Sequence, residues 1–182
     1  MKAMVMVAHP DDCIIFAYSF IQTFNKLDWT ICYLTYKADD YRGSELKTFW
    51  DSRQIKTKFL GYVDDWHDIK NKKISFNEET ARIDIHSAIA DQEIILTHNE
   101  DGDYGHLHHI FVNQATSNHP RRVTFAGPGK GTDKFVLKPN SYTFAELPEH
   151  QKVIEGFHSN GHSNEYIIPD TVKVLLLLTD LK

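Results

Sequence analysis

The chain is most constrained by residues 5–12, VMVAHPDD, where an apolar run ends abruptly in an imidazole and two carboxylates. Residues 4–8 are typical of a buried strand, which must end at Pro10 because proline lacks the N–H that a strand ladder needs. Apolar residues then recur at helical spacing, at Ile14, Ala17, Tyr18, Ile21 and Phe24. Asp11 and Asp12 are therefore expected at a helix N-terminus, beside the strand end where open α/β sheets place their ligands.

Strand-like and helix-like segments alternate after this stretch. Residues 28–36 are β-branched and aromatic, which predicts a second strand. A helix is expected over residues 44–60, with Gly61 as its stop. Asn77 is expected to cap another helix, which leads into a strand over residues 94–97. Because strand–helix–strand order implies parallel strands, the sequence predicts a three-layer, Rossmann-like α/β fold with a mostly parallel sheet and helices on both faces.

The character of the chain changes after Arg121. Short strand-like runs at residues 123–126, 135–137 and 141–144 are separated by glycine and proline, which predicts a short, hairpin-like C-terminal part. A length of 182 residues suits one domain with a sizeable core and is too short for two ordinary ones. Residues 1–182 are therefore expected to form a single domain.

Composition excludes several classes of protein. The net charge of -5 gives no overall basic field, so no nucleic-acid partner is expected. Two cysteines are too few for a disulfide scaffold, and the first ten residues resemble a strand rather than a signal peptide. The longest apolar run, residues 172–178, is far shorter than the roughly 20 residues that a membrane span needs. A cytoplasmic protein without a membrane span is therefore expected.

His9 and Asp12 are nitrogen and oxygen donors, and such donors three residues apart can converge on one divalent ion at about 2 Å. A third ligand is expected in the histidine-rich residues 102–109, where His106 and His109 lie one helical turn apart. Three protein ligands would leave an open coordination position. Each residue also has a structural interpretation, in which His9 bonds the backbone and Asp12 caps a helix.

Two motifs resemble those of a known family. Residues 8–12, AHPDD, match the first signature of the PIG-L/LmbE-like N-acetylglucosaminyl deacetylases. The run Tyr104-Gly105-His106-x-x-His109 matches their second signature, usually YGHPDH, in the same order along the chain. The resemblance covers roughly the first two thirds of the chain. It implies one divalent metal, Zn²⁺ or alternatively Fe²⁺, and the ligands that it implies are His9, Asp12 and His109.

The same resemblance implies metal-assisted hydrolysis of an N-acetyl group, or a similar acyl group, on an amino sugar or related small amide. Asp11 would be the general base that accepts a proton from the attacking water. Tyr104 would donate a hydrogen bond to the developing oxyanion. His106, or Asp11 once it has been protonated, would protonate the leaving amine. His98 is a weaker candidate for the site.

The chain departs from the family pattern at two motif positions. Cys13 stands where the family usually has Glu after the two aspartates. His108 replaces the family's Asp between the two histidines, whose role in orienting the first histidine would pass to Asp101 or Asp103.

The substrate-binding residues of the family are also not in register with this chain. Arg42 and Arg53 are the candidates to replace its substrate-binding arginine. Late in the chain, His158 and Glu165 match the family's pattern only loosely. Atypical substrate contacts are therefore expected.

Two other functions compete with deacetylation. A phosphoesterase would use the same ligands, although a two-metal enzyme would need more bridging carboxylates. A catalytically inactive sugar-binding or nucleotide-binding module is favoured by Cys13 and His108. It is disfavoured by Asp11, Tyr104 and His106, because a binding module has no need of a base, an oxyanion donor and an acid together. The expected partner is a small N-acetylated molecule, and the sequence leaves the oligomeric state open.

Overall fold

The computed structural model of the chain describes residues 1–65, 68, 71–125 and 141–142. Strands within these residues form one six-stranded sheet, and every neighbouring pair in it is parallel. The order across the sheet is β3-β2-β1-β4-β5-β6, so the first strand is central. In chain order, the strands are β1 (Lys2–Val7), β2 (Asp28–Thr35), β3 (Lys56–Tyr62), β4 (Ile94–Thr97), β5 (Arg122–Phe125) and β6 (Ser141–Tyr142).

Helices cover both faces of this sheet, as the two apolar clusters show. Alternate residues of β1 point to opposite faces, so Val5 packs with Trp50 on one side and Met6 packs with Phe111 on the other. The predicted three-layer α/β fold with a mostly parallel sheet is confirmed. The helices are α1 (Tyr18–Thr23), preceded by a π-helical turn over Cys13–Ala17, α2 (Tyr41–Asp51), α3 (Glu78–Ile89), α4 (Gly102–Gly105) and α5 (Leu107–Ala115).

The predicted helix over residues 44–60 is wrong in its second half, because the chain turns after α2 and forms β3. Gln54 has a φ of 59°, which interrupts the helix. Beyond that turn, Phe59 stacks on Tyr33 of β2 with ring centroids 4.7 Å apart. Packing against a neighbouring strand therefore outweighs the local helical spacing. Gly61 is not a helix stop but a residue of β3 with a φ of 79°.

The C-terminal strands differ from the hairpin-like arrangement in one respect. β5 and β6 pair in parallel, with Phe125 opposite Tyr142, whereas two strands of a hairpin are antiparallel. The predicted strand at residues 135–137 and the apolar run at residues 172–178 lie outside the described residues. Among the helices that are described, none has both the length and the apolar character that a membrane crossing requires.

Candidate functional site

Three side-chain atoms form a nearly equilateral triangle at the carboxyl end of the sheet. His9 Nδ1 lies 3.2 Å from His109 Nε2, and Asp12 Oδ2 lies 3.3 Å from each of these two nitrogens. All three residues are buried. The structure thus brings together the three ligands that the sequence analysis predicted, from two segments a hundred residues apart. We call these three atoms the donor triangle.

The first corner of the donor triangle is positioned by the end of β1. The carbonyl of Ala8 accepts bonds from both the backbone N–H and the hydroxyl of Thr35, at 3.0 and 2.8 Å. The chain then turns so that the N–H of His9 donates to Asp12 Oδ2 at 2.8 Å. Asp12 also donates its N–H to the carbonyl of His9 at 3.3 Å. Mostly main-chain bonds therefore hold His9 and Asp12 together.

The other corner is positioned by a buried carboxylate. His109, in the first turn of α5, lies with its Nδ1 2.9 Å from Asp103 Oδ2. His98 contacts the same oxygen through its own Nδ1, and its ring stacks on that of His109 with centroids 3.8 Å apart. His98 Nε2 accepts the N–H of Ala8 at 3.0 Å. In the neutral form that metal ligation requires, His109 carries its hydrogen on Nδ1, facing Asp103, and presents a bare Nε2 to the donor triangle.

Asp103 is held in an unusual backbone conformation. Its φ of 63° and ψ of -65° lie in the rare γ-turn region, which costs of order 1–3 kcal/mol for a residue with a side chain. Asn99 Oδ1 stabilises this turn by accepting the N–H of Asp103 at 2.8 Å. The preceding Gly102 has a φ of 67°, and a Cβ there would come within 2.7 Å of Ile110. The loop is therefore built to place one carboxylate against two histidines.

The donor triangle fits a divalent cation. Tetrahedral ligands at about 2.0–2.1 Å from a metal are about 3.3–3.4 Å apart, which is close to the separations found here. Within the described residues, Asp12 Oδ1 is buried and has no hydrogen-bond partner. Burial raises the pKa of Asp12, but the positive charge that His109 and His98 carry when they are protonated outweighs burial and holds this pKa well below its usual range. The three atoms therefore favour a positive charge between them.

Asp11 is turned away to a different partner. Its Oδ1 lies 2.7 Å from Arg42 Nη2. Arg42 Nη1 in turn donates to the hydroxyl of Tyr36 at 3.1 Å, and that hydroxyl donates to Asp64 Oδ2 at 3.2 Å. The carboxylate adjacent to a donor-triangle residue is thus oriented by a guanidinium that is itself held in place.

Tyr104 and His106 lie beside the donor triangle. Tyr104 is 41% exposed as a residue, and its ring centroid is 5.2 Å from that of His109. His106 Nδ1 accepts the N–H of His108 at 3.2 Å, which leaves its hydrogen on Nε2. Burial and the neighbouring histidines, His9 first, lower the pKa of His106 to about 2. The ring is therefore neutral near pH 7.

Comparison with known proteins agrees with the two motifs. The PIG-L family, described as GlcNAc-PI de-N-acetylase, matches residues 4–119, which is more than half of the chain. The chain belongs to the PIG-L family. No match is found among curated proteins.

Solved structures of deacetylases resemble this PIG-L chain in fold. One is a deacetylase-bog complex from the teicoplanin biosynthesis pathway, with a TM-score of 0.52 and 12% identity over 64% of this chain and 61% of that one. Another is the deacetylase–teicoplanin complex, with a TM-score of 0.51 and 11% identity over 64% of each chain. This chain thus spans less than two thirds of their length. Membership of the family supports a deacetylase-type hydrolase, whereas these neighbours show a shared fold.

The candidate replacements for family residues make different contacts from those predicted. Asp101 or Asp103 was expected to orient His106, whereas the side chain of Asp103 contacts His98 and His109. Arg42 reaches Asp11, whereas the guanidinium of Arg53 lies over the ring of Phe49 at 3.7 Å.

Cys13 does not face the donor triangle but joins the apolar core. Its Sγ accepts the indole N–H of Trp50 at 3.2 Å and lies 3.0 Å from the hydroxyl of Tyr33. Burial raises the pKa of this thiol, so it stays protonated near pH 7. The family's late residues, for which His158 and Glu165 are loose matches, lie outside the described residues.

Sequence reasoning missed three residues that shape this PIG-L site. Tyr36 and Asp64 follow β2 and β3, at the same end of the sheet as His9, and the missed strand β3 is the reason that Asp64 was overlooked. Asn99 lies two residues after β4. Its position before a Gly-containing acidic loop was a signal for a turn in which the side chain bonds the backbone.

Proposed function

We propose that this chain is a metal-dependent N-deacetylase that removes an acetyl or similar acyl group from an amino sugar or a related small amide. The donor triangle is the observation that carries the proposal, because His9, Asp12 and His109 form a three-ligand set, and three protein ligands leave one coordination position of a tetrahedral ion open. Membership of the PIG-L family supports the reaction class. The resemblance to deacetylases of known structure is a resemblance of fold.

His9, Asp12 and His109 would hold one divalent cation, with Zn²⁺ as our first choice and Fe²⁺ as the alternative. When bound there, the cation supplies Lewis-acid chemistry that polarises the acyl carbonyl and makes water a better nucleophile near pH 7. The observed nitrogen and oxygen donor set suits either ion.

Asp11 would act as the general base. Its carboxylate neighbours a donor-triangle residue and is held in place by Arg42 at 2.7 Å. From that position it would accept a proton from the water that attacks the acyl carbon. As the carbonyl oxygen becomes negatively charged, the exposed phenol of Tyr104 would donate a hydrogen bond to it. Such a donor stabilises the transition state more than the neutral substrate.

Collapse of the tetrahedral intermediate breaks the C–N bond and releases an amine, which needs a proton. Asp11 would deliver the proton that it has taken from water. His106 would assist as a neutral donor through Nε2–H, since its low pKa leaves no second proton on the ring. The products are the carboxylate and the amine, which takes up the second proton of the water and leaves as an ammonium, so one water is consumed for each acyl group removed.

We further propose that residues 1–182 act as one domain in the cytoplasm on a small soluble substrate. Cys13 and Cys32 are both buried and unpaired, which agrees with a reducing compartment.

The test is a measurement of metal content together with acetate release from a panel of N-acetylated amino sugars. We expect about one metal per chain and acetate release that a chelator abolishes and added Zn²⁺ or Fe²⁺ restores. Phosphate release from phosphomonoesters without acetate release would favour a phosphoesterase. Binding of a sugar without turnover by the metal-loaded chain would favour an inactive binding module.

A further inference from the structure

His108 occupies the motif position at which the chain departs from its family, and it lies against a residue of the donor triangle. It is fully buried, and its Nδ1 is 3.1 Å from His9 Nε2. His9 therefore has both ring nitrogens engaged. Its Nδ1 belongs to the donor triangle, and its Nε2 faces His108.

Ligation of a cation by His9 Nδ1 would set the direction of the hydrogen bond between His9 and His108. A neutral imidazole has one N–H and one bare nitrogen. If His9 Nδ1 ligates a cation, it must be bare, and the hydrogen must then lie on Nε2 and needs an acceptor. His108 Nδ1 is within hydrogen-bond distance, whereas Asp64 Oδ1 is 3.7 Å from His9 Nε2 and is too far. His108 Nδ1 is thus the acceptor that the ligating form of His9 requires, and the hydrogen of His108 then lies on Nε2, which is buried and has no hydrogen-bond partner among the described residues.

We propose that His108 is a positioning residue, which accepts the Nε2–H of His9 and so fixes the tautomer and ring orientation of that metal ligand. The inference rests on the proposed ligand set of His9, Asp12 and His109. Metal-ligating histidines usually donate their second N–H to a carboxylate, a carbonyl or water. Here a buried imidazole is the acceptor, and it adds no negative charge to the site.

The site would then use two different acceptors for its two histidine ligands. Asp103 accepts the Nδ1–H of His109, so that this ring ligates through Nε2. His108 accepts the Nε2–H of His9, so that this ring ligates through Nδ1. The main-chain N–H of His108 bonds His106 Nδ1 and keeps His108 in place, and the ring of Phe76 packs beside it at a centroid distance of 5.3 Å.

A second cation between His9 Nε2, His108 Nδ1 and Asp64 Oδ1 is the competing interpretation, since these atoms also lie near one another. A neutral His9 ring cannot satisfy both positions, because it has only one bare nitrogen. The distances of 3.7 Å from Asp64 Oδ1 to each histidine are also wider than those of the donor triangle.

The test compares the zinc affinity of three full-length variants by competition with a chelating dye. His108→Leu removes the acceptor, and we expect a 10- to 100-fold loss of zinc affinity, the usual effect of losing such a partner. His108→Asn keeps an acceptor oxygen on Cγ, where the histidine has Nδ1, and should restore most of the affinity. Phe76→Leu disturbs the packing around His108 but leaves the hydrogen bond intact, so its affinity should stay near that of the unchanged chain.

A long-range ¹H–¹⁵N spectrum of the zinc-loaded chain supplies a second readout, in which His9 should carry its hydrogen on Nε2. Equal losses of affinity in Phe76→Leu and His108→Leu would overturn the proposal in favour of packing. So would the opposite His9 tautomer. Two zinc ions in the unchanged chain, with one lost in His108→Leu, would show that His108 is itself a ligand. Failure of acetate release with normal zinc affinity would count against the proposed function alone.

Discussion

The two segments that form the donor triangle are built in opposite ways. The backbone of residues 8–12 is held mainly by main-chain bonds at the end of a central strand, and the side chains of His9 and Asp11 then contact His108 and Arg42. Residues 98–109 are held by a side-chain network around Asp103, whose backbone is in a strained conformation. The first segment follows from the sheet itself, whereas the second depends on particular side chains. Substitutions should therefore reveal a robust half and a sensitive half of the same site.

The largest effect is expected from removing a ligand of the sensitive half. His109→Ala should abolish stoichiometric metal binding, because losing one of three ligands removes most of the chelation. Metal content of the purified variant is the measurement. His86→Ala is the matched control, since His86 lies on α3 and bonds the carbonyl of Ala115, away from the site. Full metal occupancy in His109→Ala would show that the ligand assignment is wrong.

The next effect separates chemistry from metal binding in the robust half. Asp11→Asn should keep the metal and the fold, because Asp11 bonds Arg42 and is not part of the donor triangle. Acetate release should fall by about 10²-fold or more, since general base catalysis contributes about 10²–10⁴ in rate. Activity and metal content are measured on the same sample.

Two outcomes of Asp11→Asn would contradict this assignment. Loss of the metal would make Asp11 a ligand, and the donor triangle would then be incomplete as described. Unchanged activity with normal metal content would show that another group is the base and that the family's mechanism does not apply to this chain.

A smaller effect tests the network that holds the sensitive half. Asp103→Asn keeps one acceptor oxygen but removes the negative charge of the carboxylate oxygen that His98 and His109 share. Metal affinity should fall by about 10- to 100-fold, as it does when an orienting partner of a ligand is lost. Asp101→Asn is the control, because Asp101 lies in the same loop. If the two variants lose equal affinity, loop disruption and not the Asp103 carboxylate is the cause.

The contrast between the halves also explains what the sequence could predict. The strand, Pro10 and the carboxylates that follow it are adjacent in the chain, so local patterns locate His9 and Asp12. The family resemblance added His109. Asp101 or Asp103 was predicted to orient His106, but Asp103 contacts His98 and His109, because its positive φ, which the sequence does not encode directly, turns the loop toward them.

The missed strand β3 had the widest consequence. Its residues follow α2 with helical spacing of apolar side chains, and only packing of Phe59 on Tyr33 of β2 decides for a strand. A helix over the residues of β3 would not bring the segment that follows it, including Asp64, to the end of β1. Asp64 and its contacts with Tyr36 and His9 were therefore beyond local reasoning.

The smallest effect should come from removing a side-chain hydrogen bond to the backbone of the robust half. Thr35→Val removes the hydroxyl that donates to the carbonyl of Ala8 at 2.8 Å but keeps the shape of a fully buried side chain. The same carbonyl still accepts the N–H of residue 35, so no polar group is left unpaired. The free energy of unfolding should fall by about 0.5–1.5 kcal/mol, measured by urea denaturation, with metal affinity unchanged. A loss of metal affinity comparable with that of Asp103→Asn would show that the backbone of His9 depends on the Thr35 hydroxyl as much as His109 depends on Asp103, and the contrast between the two halves would disappear.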